Sequence, residues 1–197
     1  VLTDVGERMV QGGRYESLEY WVGELPEDVR QRYPYVNYLM GEVERYSGRF
    51  DQALEDYRAA QRRYQARHND WGVSLALRGQ AQVYLDTIRP VNATVLLNRA
   101  LVMLDPLESP GEVAELLLQL AENQVNQGQP QEAMVNLKRA RELAPGKKED
   151  QDFVDARLML RTGRIEEGIR LLEPMNSEVE DSRGVRPQRF HREATLL

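Results

Sequence analysis

The chain has 197 residues, with 26 Lys plus Arg against 32 Asp plus Glu, a net charge of −6, two His and no Cys. An acidic balance speaks against a dedicated binder of nucleic-acid backbone, which needs clustered basic surface. Without Cys there are no disulfides, thiolate zinc sites or cysteine nucleophiles, and a cytoplasmic setting is expected. The stretch Val113–Ala121 is among the most apolar, yet Glu115 and Gln119 interrupt it, so no membrane span is expected.

A short phrase recurs along the chain: a small or polar turn residue, one more residue, an apolar one, then an amphipathic helix. It stands at Gly13-Arg14-Tyr15, Gly48-Arg49-Phe50, Asp86-Thr87-Ile88, Gly128-Gln129-Pro130 and Gly163-Arg164-Ile165, at intervals of 35, 38, 42 and 35 residues. Such a period belongs to two-helix repeats rather than to propeller blades. In chain order the predicted helix pairs are 2–12 with 15–25, 35–47 with 50–66, 71–86 with 89–104, 111–127 with 130–143 and 149–162 with 165–174. A further helix is predicted from about 187, and longer links fall at Pro26–Pro34, Pro106–Pro110 and Asn176–Pro187.

Each part of the phrase has a physical reason. Gly closes a helix by taking the left-handed conformation, and Pro opens the next, where the first turn has no hydrogen bond to lose. Phe50, Ala53, Leu54, Tyr57, Ala60 and Tyr64 form one stripe on a helix, as do Ala133, Met134, Leu137, Ala140 and Leu143. Gly41, Gly79, Ala121 and Ala156 each precede a turn residue by seven, and Ala53, Ala133 and Gly168 follow one by five. Small residues there let paired helices approach closely.

This constellation resembles the tetratricopeptide repeat (TPR), best over Leu117–Pro145. The expected fold is all-α: a right-handed superhelical solenoid of antiparallel helix pairs, about five pairs plus a partial sixth. The rising apolar content toward Leu196 and Leu197 fits a single repeat domain, 1–197, that is a fragment of a larger protein. A more specific resemblance lies in Trp21-Val-Gly-Glu-Leu-Pro26, Arg32-Tyr-Pro34, Gly41 and Gly48-Arg-Phe50-Asp-Gln-Ala53. This run is similar to the helical-repeat region of MalT-like regulators, the large ATP-dependent activators of the LuxR type, and His191–Leu197 resembles the start of a later repeat there. The resemblance implies an inducer-sensing segment of a transcription regulator, with ATP bound only in a domain upstream and DNA only in one downstream. No phosphate loop or recognition helix is present here, so no cofactor is expected in this chain.

Catalysis is not expected. His68 and His191 lack any metal-binding spacing, and Ser17, Ser47, Ser74 and Ser109 lack a nucleophile elbow. Carboxylates such as Glu42, Glu44, Asp51, Glu55 and Asp56 read as solvated faces or ion pairs. Asn92-Ala-Thr94 matches a glycosylation acceptor by chance. Arg58, Arg62, Arg63, Arg67 and His68 form a helical stripe among acids, read as a mixed-charge face; the same reading applies to Arg183, Arg186, Arg189 and Arg192.

In stacked helix pairs the first helix of each pair lines the concave face. That geometry projects Tyr35, Tyr38, Glu42, Arg45 and Tyr46 inward, then Gln80 and Tyr84, then Glu122 and Asn126, then Arg157 and Arg161. Tyrosines beside amides, carboxylates and arginines suit a small-molecule inducer such as a sugar, or a protein or peptide partner. The plainer reading has Tyr35, Tyr38 and Tyr46 packing between repeats. With only three Lys, the chain shows no carboxylate clamp of the chaperone-binding kind. The alternative to the regulator is a TPR interaction scaffold that holds a peptide or protein on its concave face.

Overall fold

The computed structural model describes residues 2–146 and 148–172, and all regular structure among them is helical. Helix α1 (Leu2–Gln11) pairs with α2 (Tyr15–Gly23), and a short α3 (Glu27–Arg32) leads to α4 (Pro34–Tyr46) and α5 (Phe50–Gln65). Then come α6 (Asp70–Asp86) with α7 (Pro90–Val102), α8 (Pro110–Asn126) with α9 (Pro130–Leu143), and α10 (Lys148–Arg161), which is followed by helical residues 165–172. Successive helices pack in sequence order, as an antiparallel solenoid requires. The helix expected near 187, the last link and its arginines lie outside the described residues.

One turn repeats along the chain. At the end of α4 the Gly48 amide donates to the Arg45 carbonyl at 3.1 Å and the Arg49 amide to the Glu44 carbonyl at 2.8 Å, with Gly48 at φ 75°. This pair of hydrogen bonds satisfies carbonyls that the helix end would leave open. The same closure stands at Gly13, Gly128 and Gly163, and in the third pair at Ile88, φ 55°. The sequence places that third turn at Asp86, so its register is corrected by two residues and the intervals become 35, 40, 40 and 35. A β-branched residue pays steric strain in this conformation, which is why a glycine search passes over it.

With the corrected register the repeat is regular. Gly6, Gly41, Ala81, Ala121 and Ala156 precede the turn residue by seven, and all are buried. Leu18, Ala53, Ala93, Ala133 and Gly168 follow it by five, also buried. Ile88 itself is 85% exposed and packs little. Ile88→Gly is therefore expected to stabilise the fold by about 1 kcal/mol, the left-handed strain outweighing the extra chain entropy of glycine. A thermal melt checks this, and an unchanged or lower midpoint contradicts it.

Helix α3 replaces part of a predicted link. It carries no apolar stripe, so periodicity does not announce it. Acids in its first turn (Glu27, Asp28) and arginines in its last (Arg30, Arg32) suit the helix dipole. Arg63 of α5 donates to the Arg30 carbonyl at 3.1 Å, and Arg67, in the turn after α5, donates to the Arg32 carbonyl at 2.6 Å. Two members of the basic stripe thus cap a helix. Thr94, the last residue of the chance glycosylation match, accepts a hydrogen bond from Asn123 at 2.8 Å and tethers α7 to α8.

The core falls into two clusters. One gathers α2, α4, α5, α6 and α7 with Leu116 and Leu120; the other joins Val113, Leu117 and Val125 to α9 and α10. Leu101 and Leu104 pack against both. Among the first helices α1 packs on α4, α4 on α6 and α8 on α10, whereas α6 and α8 meet chiefly through side chains such as Arg78 and Glu115.

Candidate partner-binding groove

The first helices of four successive pairs surround a cavity of about 370 Å³ beside the α6–α8 seam. Helix α1 contributes Thr3, Glu7 and Val10, and α4 contributes Tyr35 and Tyr38. Trp71, Ser74, Leu75 and Arg78 come from α6, while α8 supplies Gly111, Glu112, Glu115 and Leu116. Leu104 reaches in from the link before α8. Within each helix these positions recur every three or four residues, singly or as adjacent pairs, so one stripe per helix faces the same space. The volume lies within the roughly 300–1,000 Å³ typical of ligand pockets.

Arg78 spans the seam, donating to Glu115 at 2.5 Å and sharing a hydrogen bond with Tyr38. Behind this wall lies a buried polar network. Glu42 accepts from Tyr57 at 2.8 Å and from Arg45 at 2.9 Å, and also from Tyr38. Arg45 in turn donates to Asp86 at 2.9 Å, and Gln82 donates to the same carboxylate at 3.2 Å. Burial pushes the Glu42 carboxyl up, but the Arg45 charge and the hydrogen bonds outweigh it, so it lies below the usual range. Burial raises the Tyr35 and Tyr38 hydroxyls, with nearby Glu7 and Glu42 adding to the effect.

Of the residues projected inward from the sequence, Tyr35 and Tyr38 line this cavity; their rings stack at 5.5 Å. Glu42, Arg45 and Tyr84 belong to the network and core behind them. Tyr46 is 56% exposed and stacks on Tyr15 at 4.0 Å. Gln80 is buried and donates to Gln61 at 2.9 Å and to the Ala76 carbonyl at 3.3 Å. Arg157 donates to Glu122 at 2.7 Å and to Asn126 at 2.8 Å, joining α10 to α8. Arg161 is exposed in the last turn of α10.

Trp71, Leu75, Arg78, Glu112 and Glu115 were not singled out by the sequence. A signal existed: Arg78 is the one cation in the 17 residues of α6. Among the described residues no cluster of three His, Asp or Glu could hold a metal, and no helix is long and apolar enough to cross a membrane.

No family model matches the chain, and no curated protein does either. Solved structures do resemble it. A Podosopora anserina protein assigned as a kinesin light chain, with nearly identical TPR-like repeats, is 17% identical with TM-score 0.59, covering 92% of this chain and 95% of that one. A single-substitution variant of that protein gives TM-score 0.61 at 17% identity, over 92% and 94%. BtubC (BKLC) from P. vanneervenii gives 0.62 at 15% identity, over 88% of this chain and 74% of that chain. At such identities the likeness speaks for architecture alone: the chain has the fold of a TPR-like helical-repeat solenoid.

Proposed function

We propose that the chain is a non-catalytic interaction scaffold whose inner face receives an extended segment of a partner protein. The carrying observation is the cavity shared by α1, α4, α6 and α8, since a segment laid across it touches four repeats at once. Repeat solenoids build such surfaces from many small contributions, and a buried Trp anchor supplies much of the energy. Trp71 stands at this cavity, still 38% exposed and free to be covered.

The α4 wall of the cavity offers little to a small polar inducer. The Tyr38 hydroxyl is directed to Glu42 and Arg78, and that of Tyr35 lies 3.5 Å from the Thr3 carbonyl. Few directed polar groups remain on that wall for a sugar. The run Trp21–Pro26, which resembles the MalT-like regulators, forms the crossing from α2 into α3, a task any array of helix pairs imposes. The regulator reading therefore stands second.

The test is selection of short peptides from a displayed random library on the immobilised chain, followed by affinity measurement. Recovered peptides are expected to bind at least tenfold more weakly to Trp71→Ala. Recovery of no peptide, or binders indifferent to Trp71→Ala, would overturn the proposal.

A further inference from the structure

We infer that this cavity selects a basic side chain, Arg or Lys, carried by the partner segment; the inference rests on the inner-face reading above. The lining holds three carboxylates, Glu7, Glu112 and Glu115, and one guanidinium, Arg78. Arg78 is engaged by Glu115 at 2.5 Å and by Tyr38, and its side chain is only 25% exposed. It balances a neighbour and offers little to an incoming anion. An acidic segment would meet the like charge of Glu112. A purely apolar one would cover the half-buried Glu112 carboxylate without neutralising it, which burial penalises.

A long cationic side chain meets both demands. Its aliphatic stem can pack on Leu104 and the edge of Leu75 while its head faces Glu112. Trp71 adds an indole face, the aromatic surface that attracts cations most strongly. The chain's overall charge of −6 draws a basic segment toward it during encounter.

The experiment uses the selected peptides and one change that leaves the protein untouched: replacement of the basic residue by a neutral isostere, citrulline for Arg or norleucine for Lys. Selection is expected to enrich Arg or Lys at one position, and the neutral peptide to bind roughly tenfold more weakly. On Glu112→Gln the same replacement is expected to change affinity by less than about twofold, because the partner charge is gone. Enrichment of acidic or purely apolar peptides would overturn the inference, as would an equal loss on the wild-type chain and Glu112→Gln. In those cases sensitivity to Trp71→Ala keeps the scaffold reading; recovery of no peptide removes both.

Discussion

Glu42→Leu is expected to destabilise the fold by about 3–5 kcal/mol, the range found when one partner of a buried ion pair is removed. Glu42 is 5% exposed and accepts from Arg45, Tyr57 and Tyr38. Leucine would fill part of the volume but leave the Arg45 guanidinium with Asp86 alone and two hydroxyls without an acceptor. Glu42→Gln keeps an acceptor and should cost less. Acid provides a second readout. The folded carboxyl lies below its ordinary value, so its stabilisation is present above the unfolded pKa of about 4.3 and is lost as pH falls through the folded value. Urea melts at a series of pH values should show that loss in the wild type and less of it in Glu42→Leu. Equal acid sensitivity in both would contradict the assignment.

Gly79→Ala should cost about 3 kcal/mol, at the upper end of what overpacking a rigid core incurs. A Cβ at Gly79 would lie 2.5 Å from the Tyr57 ring, and one at Gly41 would lie 2.6 Å from the same ring. The ring is fully buried between α4 and α6, and its hydroxyl is held by Glu42 at 2.8 Å. It cannot swing aside as a flexible chain end would. Nine residues after the turn residue the other repeats carry Val22, Leu97, Leu137 and Leu172 where this one has Tyr57. Gly79 is thus small because Tyr57 is large. In a Tyr57→Leu background the added methyl should cost markedly less, and additive penalties in a double-mutant cycle would refute the coupling.

Much of the fold was legible in the sequence because it rests on periodicity and punctuation. Stripes such as Phe50 to Tyr64 mark helices, and Pro34, Pro90, Pro110 and Pro130 open four of them. The failures also have physical causes. Helix α3 lacks an apolar stripe, and Ile88 occupies a conformation that glycine usually takes.

The corrected turn at Ile88 also locates the candidate site. Counting back thirteen and ten residues from Gly48 reaches Tyr35 and Tyr38; the same count from Ile88 reaches Leu75 and Arg78. From Gly128, thirteen residues back is Glu115. Those are cavity residues. The residues projected from the third pair, Gln80 and Tyr84, stand six and two before Asp86, a different stripe of α6 that packs inside the array. Pairing is harder to read than placement, since sequence shows Arg45 and Arg157 but not which carboxylate each one meets.

The claim that the inner face is the binding surface is tested most directly by amide chemical-shift mapping of the labelled chain with a selected peptide. The account predicts perturbations clustered around Glu7, Tyr38, Trp71 and Glu112, beside the α6–α8 seam. Perturbations running instead along the outer side of α7, where Val91, Val95 and Val102 are exposed, with the groove unchanged, would contradict it.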